Sequence, residues 1–315
     1  MFRVFPRSLL NGFVKVARVN KFHSQDIVSE LSRAVSSNDS GVVVNCLERA
    51  ISLARENDLS IKEFSLIMHQ LGKGKGLLEE SSSSCLDRFL NELKIKLIRN
   101  NRKFVSHSTP LDIALLLNGL VSVNKVPNTV KVIALKICEE VPLKLSLFED
   151  HQLAQVMHAL ARLKFVSQDH PVVMEILREI VTSRDVSCFN SQTIVMLVSA
   201  VSRVFKSDSD KILHSFWKSV ITKLASVPAS DMQPNWPDVI LSAVAHSGVE
   251  EKHKIVTKKF VDNMVLAVEK QAKGGLIPQG RVLKAIDALL RIPQSCPYSI
   301  SKLRKLCDSK PLVAS

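Results

Sequence analysis

Leu153-Ala154-Gln155-Val156-Met157-His158-Ala159-Leu160-Ala161-Arg162-Leu163 is a phrase that this chain repeats. Forty residues earlier it reads Ile113-Ala114-Leu115-Leu116-Leu117-Asn118-Gly119-Leu120-Val121-Ser122-Val123. Downstream it returns as Ile194-Val195-Met196-Leu197-Val198-Ser199-Ala200-Val201-Ser202-Arg203-Val204, and further copies centre on Ala243 and Ala288. Its small residue therefore recurs at Gly119, Ala159, Ala200, Ala243 and Ala288, at intervals of 40, 41, 43 and 45. A weaker copy runs from Phe64 to Gly74, with Gln70 at the small position. Apolar residues at the positions of Leu153, Val156, Met157, Leu160 and Leu163 share one helical face. A period near 40 without a strand pattern predicts an all-α chain. The expected architecture is an α-solenoid, a right-handed superhelix of about six antiparallel helix pairs.

Each phrase is followed by a polar turn and a second apolar-periodic segment. These segments are expected at Asn128–Val141, Pro171–Thr182, Asp210–Leu224 and Glu251–Glu269. Pro171 is suited to a first helical turn. Upstream, Gln25–Val35 and Gly41–Glu56 read as a helix pair that starts the array. Ser81–Ser84 reads as the cap of a helix over Cys85–Ile98, and Arg99–Lys103 as a polar loop. A last helix near Ser299–Cys307 closes the stack. The expected divisions are capping helices over 24–60, a repeat array over 61–292 and a C-terminal cap and tail over 293–315.

The formal charge is +13, and a basic excess speaks about partners rather than fold. Nucleic acid is the first candidate, and an anionic membrane surface the second. Arg3, Arg7, Lys15, Arg18 and Lys21 precede the first acidic residue, Asp26, among apolar residues such as Phe2, Phe5, Leu9 and Phe13. That pattern reads as a mitochondrial transit peptide over residues 1–23, against the alternative of a basic tail or an ordinary first helix. Without those five cations the chain is still basic. No apolar run is long enough to cross a bilayer, so no membrane insertion is expected. Cys46, Cys85, Cys138, Cys188, Cys296 and Cys307 are scattered without zinc or redox spacing. They read as buried thiols in a reducing compartment, in agreement with the mitochondrial matrix.

Two columns of the repeat stay polar. The first, one residue before the small position, reads His69, Asn118, His158, Ser199, Ser242 and Asp287. The second, four residues later, reads Lys73, Ser122, Arg162, Arg203, His246 and Arg291. Residues four apart share a helix face, so the columns form parallel rows along the first helices. Hydrogen-bonding groups in one row and cations in the other suit a single-stranded RNA, with base edges on the first row and phosphates on the second. Asp287 departs from that pattern, because a carboxylate repels phosphate. The competing reading is that both rows are ordinary wet surface.

No motif points to catalysis. Gly72-Lys73-Gly74-Lys75-Gly76 follows a helix and lacks the P-loop spacing. The histidines, His151 and His158 included, have no metal spacing, and Glu139-Glu140 and Glu250-Glu251 fit helix ends. No enzyme activity, metal, cofactor or small-molecule substrate is therefore expected.

The stretch from His151 to Leu163 resembles the heptatricopeptide-type and octotricopeptide-type repeats of organellar RNA-binding proteins, which also accompany RAP domains and occur in FAST-kinase-like mitochondrial proteins. The resemblance covers roughly Phe64 to Ile292, with a longer and less regular period than the family's, and no C-terminal RAP domain is evident. It implies binding of single-stranded or ribosomal organellar RNA, in RNA processing or stability or beside mitochondrial ribosomal proteins. The alternative function is a protein-interaction scaffold of a mitochondrial complex.

Overall fold

A computed structural model describes residues 24–77, 80–123, 127–163, 170–205, 211–248, 255–293, 295 and 297–308. The expected transit peptide lies outside them. Every regular element among the described residues is a helix, with no strand among them. The chain divides into two compact units, Met1–Leu147 and Phe148–Ser315.

The first unit contains α1 (residues 24–36), α2 (Ser40–Arg55), α3 (Ile61–Lys73), α4 (Glu80–Ser106), α5 (Pro110–Val123) and α6 (Pro127–Cys138). Helix α3 packs along α5, while α2 packs on α4 and α4 on α6. Phe64 of α3 stacks on Phe89 of α4 at 5.1 Å between ring centroids and meets Phe104 edge-on at 5.9 Å. These rings join the two rows of helices at the core of the unit.

The second unit contains α7 (Asp150–Leu163), α8 (Pro171–Thr182), α9 (Ser191–Val204), α10 (Lys211–Ser226), α11 (Trp236–Ser247), α12 (Lys258–Lys273), α13 (Gln279–Leu290) and α14 (Pro297–Asp308). Alternate helices form two rows here as well. In one row α7 packs on α9, α9 on α11 and α11 on α13; in the other α8 packs on α10, α10 on α12 and α12 on α14. Each copy of the repeated phrase supplies the first row of its unit.

Capping explains where these helices begin. Ser60 and Glu63 form a reciprocal capping box at α3. Thr109 and Asp112 do the same at α5, with bonds of 2.8 and 3.2 Å between each side chain and the other's backbone N–H. Gln152 accepts from the Glu149 N–H ahead of α7, and Asn190 accepts from the Thr193 N–H at α9. Pro171 occupies the first turn of α8, as its fixed φ favours.

The small position of the phrase is where first-row helices meet. A Cβ on Gly119 would stand 2.5 Å from the Met68 carbonyl oxygen of α3, so only glycine permits this approach. Ala159, Ala200, Ala243 and Ala288, its equivalents, are all buried. On second-row helices and the segments that follow them, cations and amides tie successive repeats together. Lys144, Lys223 and Asn263 each donate to a backbone carbonyl 36 residues earlier, at Ser108, Ser187 and Val227.

Several expectations need correction. Ser81–Ser84 and Arg99–Lys103 are neither a cap nor a loop, because both lie inside the 27-residue α4. Val105, beyond the polar stretch, is fully buried and holds the last turn of α4 to the core. Helix α6 ends at Cys138 rather than Val141, and α12 starts after Thr257, whose hydroxyl caps Phe260 N–H. Cys46, Cys85, Cys138 and Cys307 are buried free thiols, and burial pushes Cys138 up to about 12. Cys188 is instead exposed, since it closes a short 3-10 turn, Val186–Cys188, rather than a packed helix. Cys296 lies outside the described residues.

Candidate nucleic-acid interface

The two polar columns lie on first-row helices, but their environments differ. Lys73, Arg162, Arg203, His246 and Arg291 are exposed, whereas Ser122 is half-buried. In the other column His69, Asn118, His158 and Ser242 are half-buried, Ser199 is buried and only Asp287 is exposed. On the wheel of each helix the first column stands closer to the neighbouring helix, so packing covers part of it.

In the first unit, Lys73 sits at the C-terminal turn of α3, beside α5. A Cβ on the adjacent Gly72 would come within 3.2 Å of the Ser122 Cβ, which places the α3 and α5 members of the second column side by side. Ser122 donates its hydroxyl to the Asn118 carbonyl at 3.1 Å, the usual back-bond of a helical serine. Lys73 lowers the His69 pKa, after burial, which is the larger cause.

In the second unit the columns meet most tightly between α7 and α9. The His158 imidazole is pushed down to about 4, first by burial, then by the Arg162 guanidinium, then by Arg203 of the neighbouring helix. At neutral pH it is therefore an uncharged ring flanked by two cations. Neither arginine has a carboxylate partner among the described residues, and the same holds for Lys73. One turn before His158, the side-chain oxygen of Gln155 is buried and accepts no hydrogen bond. An unsatisfied buried acceptor is costly, which marks Gln155 as a group with bonding capacity to spare.

Further along the row that capacity is used internally. His246 donates Nδ1–H to the Ser242 carbonyl at 2.6 Å. Arg291 and Asp287 form an ion pair at 2.9 Å, so Asp287 occupies the cation of its own repeat. The second column thus divides into unpaired members, Lys73, Arg162 and Arg203, and members engaged with their own helix, Ser122, His246 and Arg291.

Sequence reasoning missed Gln155, which replaces Leu115 and Met196 of the neighbouring copies. It also missed a third polar column, seven residues before the small position, where Glu63, Asp112 and Gln152 bond the backbone at helix N-termini. The signal was available as Ser-x-x-Glu and Thr-x-x-Asp spacing ahead of the copies in α3 and α5. The buried Asp238 of α11 likewise has a structural partner, Arg281 of α13, at 3.2 Å. Burial raises its pKa, against the opposing pull of Arg281.

Among the described residues, no group of three or more His, Cys, Asp or Glu side chains is placed to hold a metal ion. No helix among them is long and apolar enough to cross a membrane. No known protein family matches the chain, and no curated protein matches it.

Proposed function

We propose that this protein is an α-solenoid of stacked helix pairs that binds organellar RNA in the mitochondrial matrix, in RNA processing or stability or beside the mitochondrial ribosome. The two-row packing within each unit supports the solenoid reading, and the basic N-terminal segment motivates the location. One observation carries the RNA reading: Arg162 and Arg203, exposed and without carboxylates, flank the uncharged His158 on adjacent helices.

Exposed guanidiniums without an internal partner are free to exchange water and counterions for phosphates, which makes affinity dependent on salt. A neutral imidazole between them can donate from one nitrogen and accept at the other, as contact with a base edge or a 2′-hydroxyl requires. Lys73 offers the same phosphate chemistry in the first unit. The protein acts by holding RNA, without catalysis, cofactor or metal.

The test is ultraviolet crosslinking of the tagged protein in isolated mitochondria, with the Arg162→Ala/Arg203→Ala variant in parallel. Crosslinks concentrated on a few RNA segments, and reduced in the variant at equal protein level, are expected. A wild-type signal no higher than that of an untagged control would refute RNA binding.

A further inference from the structure

In the second unit three first-row helices carry an arginine at the same repeat position: Arg162 of α7, Arg203 of α9 and Arg291 at the C-cap of α13. What stands four residues earlier, one turn back on the same face, differs. It is His158 in α7, uncharged at neutral pH, Ser199 in α9 and Asp287 in α13. Asp287 accepts from the Arg291 guanidinium at 2.9 Å, and both side chains are exposed.

The rest of each helix repeats the difference. Helix α9 contains no acidic residue, and the one in α7, Asp150, is held by Arg184 at 2.7 Å. Every cation of α13 faces a carboxylate instead. Arg281 pairs with Asp238 of α11 at 3.2 Å, Lys284 acts on the same Asp238, and Arg291 is taken by Asp287. Between these helices α11 offers His246, bonded to its own backbone. Folding does not require the exposed pair on α13, since a surface ion pair at this spacing contributes little to stability. Its electrostatic effect is larger. It cancels a cation and sets a negative charge where the preceding copies are neutral. A phosphate approaching α13 meets a guanidinium with a carboxylate already on it, and the counterion release that drives phosphate binding is lost.

We infer that Asp287 ends the RNA-binding row, holding Arg291 away from phosphate so that the second unit takes a single strand at α7 and α9 and not at α13. This role presupposes the RNA reading and adds the residue that limits the reach of the strand. Asp287 acts through Arg291 and touches no RNA itself. Removing its charge should extend the site by one phosphate, a gain that a merely structural ion pair would not give.

The test is fluorescence anisotropy of an end-labelled, unstructured RNA of mixed sequence, titrated with the full chain across a range of salt concentrations. Asp287→Asn keeps the shape of the side chain and frees Arg291. It should bind more tightly than the wild type, with a log–log salt slope steeper by about 0.7, one added phosphate on a single strand. Asp287→Asn/Arg291→Ala should return to the wild-type slope. Asp262→Asn removes an exposed carboxylate from α12 in the other row; it controls for net charge and should leave the slope unchanged. Wild-type affinity and slope in Asp287→Asn would overturn the inference. So would an equal gain in Asp262→Asn, a gain that survives Arg291→Ala, or weaker binding by Asp287→Asn, which would make the carboxylate an RNA contact. A wild type that binds no RNA would remove the RNA reading itself, and the role of Asp287 with it.

Discussion

The junctions between helices and the open faces of the helices use their cations in opposite ways. On the second-row helices and the segments that join them to the first row, Arg49 pairs with Glu30, Arg55 with Glu92, Arg184 with Asp150 and Glu179, and Lys302 with Glu269. Several of these pairs bridge different helices, so the charge serves packing. On first-row helices Lys73, Arg162 and Arg203 have no such partner among the described residues. First-row helices also hold paired cations, Arg281 with Asp238 and Arg291 with Asp287, so availability is set position by position: where a carboxylate neutralises a cation the contact is structural, and where none does the cation is open to an anion. The same contrast separates close backbone contact in the first row, at Gly119, from side-chain bridging in the second.

The contrast can be broken from either side. The largest effect on stability is expected for Gly119→Ala. The new methyl would meet the Met68 carbonyl at 2.5 Å, and the shift of α5 away from α3 should cost about 2–3 kcal/mol despite alanine's better helix propensity. A thermal or urea melt reads it, and a stabilised variant would show that the close approach is not required.

Next comes Arg184→Ala. Arg184 is mostly buried and joins Asp150 to Glu179, so its loss leaves two carboxylates facing each other, at a cost of about 1–2 kcal/mol. RNA affinity should be unaltered, because this arginine is already committed. Reduced RNA binding with unchanged stability would contradict the assignment of Arg184 to packing.

The pH response sharpens the first-row side. His158 is held down to about 4, below its ordinary 6.5, so the unfolded chain binds a proton at higher pH than the folded one. Stability should therefore be complete above about pH 6.5 and decline as pH falls toward 4, by up to about 2 kcal/mol after allowance for partial exposure. In Arg162→Ala/Arg203→Ala the His158 pKa should rise yet stay below 6.5, since burial is the leading cause. An NMR titration giving an ordinary imidazole pKa in the wild type would contradict the described environment. The smallest effect belongs to Arg49→Ala: the Arg49–Glu30 pair is exposed at both ends and should contribute at most about 0.5 kcal/mol.

How much of this was legible depends on what each feature needs. The repeat period, the first-row helices and α8, read as Pro171–Thr182 and found there, follow from apolar spacing and breakers within one segment. Helix α4 was not legible as one element. Serines and an Arg-Asn-Asn-Arg-Lys run resemble a cap and a loop locally, and only the burial of Val105 beyond them shows why the helix continues. The candidate site was legible as two columns but not in its division into engaged and unpaired members. His246 and Arg291 bond groups on their own helix, whereas His158 is set by Arg203 on another, and a spacing rule carries no information about such cross-helix charge.

The central claim is that Arg162 and Arg203 contact RNA phosphates. It is tested most directly by filter binding of an unstructured RNA across a range of salt concentrations, with the wild type and Arg162→Ala/Arg203→Ala compared. The account predicts weaker binding by the variant at every salt and a log–log slope shallower by about 1.4, the loss of two phosphate contacts on a single strand. Equal affinity and equal slope for the two proteins would contradict it.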